Sequence, residues 1–139
     1  MQTFCVATAI IQDGDKFFIA KRANTKKIEP GLWEFVTGFV EDHESAEDTI
    51  LRELLEEINA QGTIICELDC IQMLKDGTRW IVIPFLVSVD DTDIHTVPEE
   101  HSAGDWVTWQ ELEHIPAHEF RYNLSSVKRA LHAALTLNQ

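Results

Sequence analysis

Short runs of β-branched and aromatic residues alternate with turn residues in the first forty positions. Residues 4–11 and 16–22 form two such runs, and Asp13-Gly14 between them is typical of a hairpin turn. A basic loop covers residues 24–31 (NTKKIEPG), and a short apolar run covers residues 32–36 (LWEFV). This part of the chain therefore predicts a hairpin, a loop and a further strand.

The second half of the chain repeats the strand pattern and then changes to helical spacing. Residues 63–74 and 79–89 are strand candidates around the turn KDGT, and Pro84 in the second run favours an edge position or a bulge. A last strand is predicted at residues 105–109 (DWVTW), and an amphipathic helix at residues 123–137. We expect that helix either to pack on the sheet or to form the surface of a homodimer. The pattern predicts an α+β fold with a mixed sheet.

A central helix is predicted to begin at Ser45, because Asp48 three residues later gives a start that resembles a capping box. At 100° per residue, Ala46, Ile50, Leu54, Ile58, Leu51 and Leu55 cover a half-cylinder suited to a core. Glu53, Glu56 and Glu57 share a narrow arc on the remaining side. We therefore expect these three carboxylates to face away from the core.

Composition and charge narrow the classes of function. With 139 residues, 45% hydrophobic and 25% charged, the chain is most simply one globular domain over residues 1–139. The formal net charge of −13 argues against a nucleic-acid backbone as the partner, since binding to phosphates along a strand requires a basic surface. A phosphorylated small molecule stays open if a divalent cation mediates its binding.

Location follows from what the sequence lacks and from its cysteines. No apolar run is long enough to span a bilayer, and the first residues lack the basic start and cleavage site of a signal peptide. We therefore expect a cytoplasmic protein that is not bound to a membrane. Cys5, Cys66 and Cys70 are expected to be thiols in a reducing compartment.

Most of the excess negative charge lies in residues 41–57, where eight acidic side chains accompany one base, Arg52. Neighbouring like charges destabilise a helix by a few tenths of a kcal/mol per pair, and a divalent cation would reverse that effect. Mg²⁺ and Mn²⁺ prefer oxygen ligands and are commonly held by carboxylates together with phosphate oxygens of a substrate. The residues by themselves leave two interpretations, a solvated acidic face and a metal site.

The spacing within residues 38–60 favours the metal site. Gly38, Glu44 and the run from Arg52 to Glu57 fit the pattern G-x5-E-x7-R-E-U-x-E-E-x-G-U, in which U is aliphatic. The segment resembles the Nudix box at every position except Asn59, where the box has glycine. Six fixed letters in register arise by chance on the order of 10⁻⁷ per start position. Asn59 is a mild departure, because asparagine tolerates the left-handed conformation common after a helix.

The resemblance implies a fold, a reaction and a cofactor. Nudix proteins are α/β/α sandwiches with a mixed sheet, and most hydrolyse a nucleoside diphosphate linked to another group with Mg²⁺ or Mn²⁺. It implies that Glu56 and Glu57 are metal ligands, and that Glu53 is either a ligand or the general base. It also implies the Thr37 carbonyl as a further ligand, an orienting role for Arg52, and Glu44 as either a loop anchor or a ligand.

Several residues outside the box are also candidates. Arg22, Lys26 and Lys27 are basic side chains placed to meet substrate phosphates, with a solvated loop as the alternative for both lysines. The resemblance implies Glu100 as an extra ligand or base, against the alternative of a plain surface loop, and His101 as an accessory residue. The catalytic set expected from these arguments is Glu53, Arg52 and Glu100.

The substrate is less well specified than the reaction. The chain has Val-Thr-Gly at residues 36–38, where members that remove mutagenic nucleotides typically have Pro-Gly-Gly, and so it resembles the dihydroneopterin triphosphate and dATP pyrophosphohydrolase branch. Asn123 either binds a purine or pterin edge or caps the last helix. Trp33 and Phe35 either stack on a base or lie in the core.

Three functions remain open at this stage. The first is hydrolysis of a nucleoside triphosphate-type substrate to pyrophosphate and a monophosphate. The second is hydrolysis of ADP-ribose, a dinucleotide polyphosphate or a nucleotide sugar, which the box does not distinguish from the first. The third is a non-catalytic nucleotide-sensing module, although such modules tend to lose box carboxylates and this chain keeps all of them.

Overall fold

Eight strands form one mixed sheet in the computed structural model, which describes residues 1–137. The strands are β1 (Gln2–Asp13), β2 (Lys16–Arg22), β3 (Trp33–Glu34), β4 (Val36–Phe39), β5 (Gly62–Glu67), β6 (Ile71–Lys75), β7 (Thr78–Val89) and β8 (His101–Thr108). The helices are α1 (Ala46–Ile58), α2 (Trp109–Glu113) and α3 (Leu124–Leu137), and a 3-10 turn covers Ala117–Glu119.

The long strand β1 joins the two parts of the sheet. It pairs in parallel with β7, where Val6 lies opposite Val82, and antiparallel with β4. Its last two residues form the predicted hairpin with β2, and Gly14 in the turn has a φ of 62°. β2 also pairs with β3 at Ala20 and Lys21 and, on its opposite edge, with β8 from Lys16 to Arg22. The prediction of a mixed sheet is confirmed.

Helices cover both faces of the sheet, as the predicted α/β/α sandwich requires. Ile50, Leu54 and Ile58 of α1 pack on one face, against a layer that includes Ala9 and Phe85. Val127, Ala130 and Leu131 of α3 pack on the other face. Of the two alternatives for the last helix, packing on the sheet is therefore the one observed. Within residues 1–137, no helix combines the length and the apolar character needed to cross a membrane.

The structure corrects two strand predictions. Residues 63–74 form two strands, β5 and β6, separated by residues 68–70. Pro84 does not lie at an edge, because β7 has β1 on one side and both β5 and β6 on the other. The Pro84 carbonyl accepts the Leu68 amide at 2.8 Å in the gap between β5 and β6. Neither β5 nor β6 pairs with Pro84 in this gap, so the N–H group that proline lacks is not required for a hydrogen bond of the sheet.

The ends of α1 agree with prediction, whereas its orientation does not. The Ser45 hydroxyl accepts the Asp48 amide at 3.1 Å, and Asn59 takes the left-handed conformation with φ 51° and ψ 38°. The buried face, however, is rotated toward the carboxylates: Glu57 is buried, while Leu55 is 51% exposed. The expectation that all three carboxylates face away from the core is wrong for Glu57.

Candidate active site

A cavity of about 320 Å³ lies between α1, β4 and the loops that follow β2 and precede β8. It brings together most of the predicted site residues, although they are far apart in the chain. The lining includes Arg22, Lys26, Thr37, Gly38, Arg52, Glu53, Glu56, Glu57 and Glu100. The cavity is therefore a candidate active site.

Gly38 allows α1 to approach β4 closely. A Cβ atom at this position would lie 2.4 Å from the carboxyl carbon of Glu53, well inside van der Waals contact. A side chain at residue 38 would therefore displace the Glu53 carboxylate from the cavity. This contact gives the glycine at the start of the box a physical role.

The Arg52 guanidinium is the centre of an ion-pair network. Its Nε and one terminal nitrogen donate to the two oxygens of Glu44, at 2.8 and 2.9 Å. The other terminal nitrogen donates to Glu53 at 2.8 Å and to Glu56 at 3.2 Å. The fork geometry thus fixes Glu44 and Glu53 relative to each other.

Glu44 is fully engaged by protein groups. Besides Arg52, the Thr49 hydroxyl donates to it at 2.6 Å, and the hydrogen bonds from Arg52 and Thr49 lower its pKa to about 2. Glu44 does not line the cavity. Of the two predicted roles for Glu44, the structure favours the loop anchor over the ligand.

Glu57 is the most unusual carboxylate of the site. Its side chain is buried, and Oε2 has no hydrogen-bond partner among the residues that the structure describes. Burial, reinforced by the charges of Glu53, Glu34 and Glu100, raises its pKa to about 9. Burial also raises the pKa of Glu53, against the influence of Arg52. Two neighbouring carboxylates are thus disfavoured as anions in the absence of a cation.

These features fit a hard divalent cation. The donors are oxygens only, one of them is buried without a partner, and adjacent acids resist ionisation. Within residues 1–137, no three acidic, histidine or cysteine side chains are grouped so that they could hold a metal ion by themselves. Such a partial set is usual for Mg²⁺, which commonly takes one or two carboxylates and completes its shell with waters and substrate phosphates.

Thr37 of β4 and Glu100, which directly precedes β8, also line the cavity. The Thr37 hydroxyl is bonded to the hydroxyls of Thr8 and Tyr122, so it is the backbone carbonyl that remains the predicted ligand. Glu100 accepts a hydrogen bond from Lys26 at 2.5 Å. Lys26 is therefore part of the cavity wall, while Lys27 is exposed and outside it.

Two predicted substrate contacts lie away from the cavity. Phe35 is fully buried in the core with Phe120 and Tyr122, so its ring has no free face for a base. Asn123 accepts the Ser126 amide at 3.2 Å and caps α3. It lines a separate, wider cavity of about 910 Å³. In each case the structure favours the alternative role, core for Phe35 and cap for Asn123.

A buried ionic cluster behind the cavity does not follow from the motif. Glu34, 1% exposed, pairs with Arg22 at 3.1 Å, with Arg121 at 2.8 Å and with His101 Nε2 at 2.8 Å. Burial opposes ionisation of Glu34, but the His101 hydrogen bond and the two guanidinium groups hold its pKa below the usual range. Arg22 and Arg121 also line the cavity. A lone acid in the apolar run LWEFV is the sequence signal for this cluster.

Comparison with known proteins agrees with this geometry. The NUDIX domain family model matches residues 2–127. The chain is 30% identical over 124 residues to an RNA pyrophosphohydrolase of Rickettsia bellii (strain OSU 85-389), covering 77% of this chain and 75% of that protein. It is 38% identical over 64 residues to the CTP pyrophosphohydrolase of Escherichia coli (strain K12), covering 46% and 47%.

The fold has close structural counterparts as well. A NUDIX hydrolase from Nitrosomonas europaea superimposes with a TM-score of 0.79 at 18% identity, over 96% of this chain and 90% of that one. At this identity the likeness concerns the fold alone.

Proposed function

The chain belongs to the Nudix family of pyrophosphohydrolases, and from this premise we propose that it hydrolyses a nucleoside triphosphate-type substrate to pyrophosphate and a monophosphate, with Mg²⁺ as cofactor. Mn²⁺ is the expected substitute. The candidate substrates are an NTP, a dNTP or dihydroneopterin triphosphate.

The observation that carries the proposal is the buried, unpartnered oxygen of Glu57 beside Glu53 and Gly38. A buried carboxylate oxygen without a partner is costly unless a ligand satisfies it. Glu53 and Glu57 would hold the cation, with Glu56 and the Thr37 carbonyl as further oxygen donors at the same cavity. When bound, the cation would neutralise the charge on phosphate oxygens and lower the pKa of water.

The protein's own groups would position the substrate around these carboxylates. Arg52 fixes Glu53 through the 2.8 Å hydrogen bond and so acts as a positioning residue. Arg22 and Lys26 line the cavity and would contact substrate phosphates. Two carboxylates, Glu53 and Glu100, are available to orient and deprotonate the attacking water.

The choice of a small molecule rests on charge. The relative from Rickettsia is named an RNA pyrophosphohydrolase, which places a triphosphate-ended RNA among the candidates. A net charge of −13 opposes binding along an RNA backbone, since such binding draws most of its affinity from neutralised phosphates. We therefore favour a free nucleotide over RNA.

A substrate panel tests the proposal. The protein is incubated with Mg²⁺ and NTPs, dNTPs, dihydroneopterin triphosphate, ADP-ribose, a dinucleoside polyphosphate, a nucleotide sugar or triphosphate-ended RNA, and the products are separated by ion-exchange chromatography. The expected result is pyrophosphate and a monophosphate from a free triphosphate. Turnover restricted to ADP-ribose, the dinucleotide, the sugar or RNA would contradict the substrate class. The absence of turnover with either metal would contradict hydrolysis itself.

A further inference from the structure

Three aromatic side chains form a cluster at the rim of the catalytic cavity. The rings of Phe4 and Trp80 lie 5.1 Å apart, those of Phe4 and Phe39 5.8 Å, and those of Phe39 and Trp80 6.0 Å. They come from the parallel pair β1 and β7 and from the end of β4, where Phe4 lies opposite Trp80. We call Phe4, Phe39 and Trp80 the aromatic rim.

Phe39 is the exposed member of the aromatic rim. Phe4 and Trp80 are half-buried, and the Arg121 guanidinium lies 6.0 Å from the Trp80 ring, whereas Phe39 is 44% exposed and lines the cavity. Apolar surface left in water is unfavourable, and an exposed apolar patch beside a polar cleft commonly marks a ligand site. The rings of Phe4 and Trp80 pack against Phe39 and leave part of its surface free for a stacking partner.

The position of Phe39 connects the aromatic rim to the phosphate chemistry. It directly follows Gly38, whose backbone contacts Glu53, and consecutive Cα atoms lie about 3.8 Å apart. The Phe39 carbonyl also accepts a hydrogen bond from Arg52 at 3.4 Å. Because Phe39 lines the same cavity as Glu53, Glu56 and Glu57, its ring is placed to contact the group attached to the phosphates.

The chemistry of the aromatic rim favours stacking over hydrogen-bond recognition. The nearby Arg52 already donates to Glu44 and to the Phe39 carbonyl, and Phe39 is the aromatic side chain that lines the cavity beside it. A nucleobase can stack on an aromatic ring whatever its hydrogen-bonding edge, and a larger ring system stacks more strongly. Such a surface selects for the presence and size of a base.

We propose that Phe39, supported by Phe4 and Trp80, stacks on the base of the substrate, so that the enzyme favours base-bearing phosphoanhydrides and prefers purines to pyrimidines. This inference rests on the proposed function, since it concerns the substrate of the same cavity. It makes Phe39 a specificity-determining residue.

The test compares substrates with and without a base. The quantity measured is the ratio of kcat/KM for ATP to kcat/KM for ribose 5-triphosphate, in the parent, Phe39→Leu and Phe39→Trp. Leucine keeps apolar packing on Phe4 and Trp80 but removes the ring, so the ratio should fall by roughly 5- to 150-fold, and tryptophan should restore it. Leu74→Ala, at an apolar position that is 71% exposed and outside the cavity, is the matched control and should keep the parent ratio.

Failure of the inference is distinguishable from failure of the proposed function. If the parent hydrolyses both compounds and Phe39→Leu keeps the parent ratio, stacking is refuted while hydrolysis stands. If the parent hydrolyses no free triphosphate of the panel, the proposed function fails, and calorimetric binding of magnesium-loaded, methylene-bridged ATP then decides the stacking. A Kd that Phe39→Leu weakens by the same factor supports stacking, and an unchanged Kd overturns it. Thermal unfolding of each variant shows that it is folded.

Discussion

Replacing Gly38 with alanine should damage catalysis far more than stability. The added methyl group would lie 2.4 Å from Cγ, Cδ and Oε1 of Glu53, whereas carbon atoms normally approach to about 3.5 Å. The Glu53 side chain must therefore shift by about 1 Å. A displacement of that size in a catalytic group costs on the order of 10²-fold in rate. The stability loss should be near 1 kcal/mol, the low end for overpacking, because the clashing atoms belong to the flexible Glu53 side chain, which lines an open cavity and can move.

Gly62→Ala is a matched control for the steric clash. A methyl group there would also lie 2.4 Å from a side-chain atom, in this case Cδ1 of Leu54 in the core. It touches no carboxylate, so this variant should lose about 1–3 kcal/mol of stability and keep its activity per folded molecule. In a domain of this size each kcal/mol lowers Tm by roughly 3 to 5 °C.

The assay combines kinetics and unfolding for the three proteins. kcat/KM is measured with Mg²⁺ and the best substrate of the panel, and Tm by circular dichroism in the same buffer. The two variants should separate, one losing activity and the other losing stability. If Gly38→Ala keeps parental kcat/KM, or if Gly62→Ala loses as much activity as Gly38→Ala, the argument from the Gly38–Glu53 contact is refuted.

Three further predictions follow from the charged groups. Arg52→Lys loses the two-pronged hydrogen bonding to Glu44, so metal affinity or kcat/KM should fall about 10- to 100-fold, and an unchanged Mn²⁺ titration would contradict this role. Glu57 has a pKa of about 9 in the folded state against about 4.5 ordinarily, so its contribution to stability is complete below pH 4.5 and is lost as pH rises through 9. In EDTA, the free energy of unfolding of Glu57→Gln should therefore rise relative to that of the parent between pH 5 and pH 9. A difference between the two proteins that stays constant across that range, measured by urea denaturation, would refute this prediction. Glu34→Gln leaves the buried Arg22 guanidinium without its charged partner and Arg121 with Glu29 at 3.7 Å, and it should cost about 3–5 kcal/mol by urea denaturation, whereas a loss under 1 kcal/mol would contradict the buried cluster.

Local features of the site could be predicted from sequence, because they depend on neighbouring residues. The start of α1 at Ser45 and the left-handed Asn59 follow from capping chemistry, and the spacing of the box places Glu53, Glu56 and Glu57 on one helix. The rotation of α1 could not be predicted from helical periodicity. It depends on the sheet, where Gly38 leaves space for Glu53, and on this side of α1 Glu57 is buried.

Features that depend on distant segments were harder to foresee. The Glu34 cluster combines residues from positions 22, 34, 101 and 121, which no local pattern connects. Phe35 illustrates the same limit, since an aromatic residue next to a box suits either a stacking or a core role. The packing of Phe120 and Tyr122 around it decides for the core.

The central claim is that the Glu57 carboxylate enables metal-dependent cleavage of a phosphoanhydride. Its most direct test is pyrophosphate release as a function of Mg²⁺ concentration for the parent, Glu57→Gln and the control Glu47→Gln, an exposed acid in the first turn of α1. We expect Glu57→Gln to lose activity by on the order of 10²-fold or more while remaining folded, and Glu47→Gln to match the parent. A Glu57→Gln variant with the parental rate and the parental Mg²⁺ dependence would contradict the account.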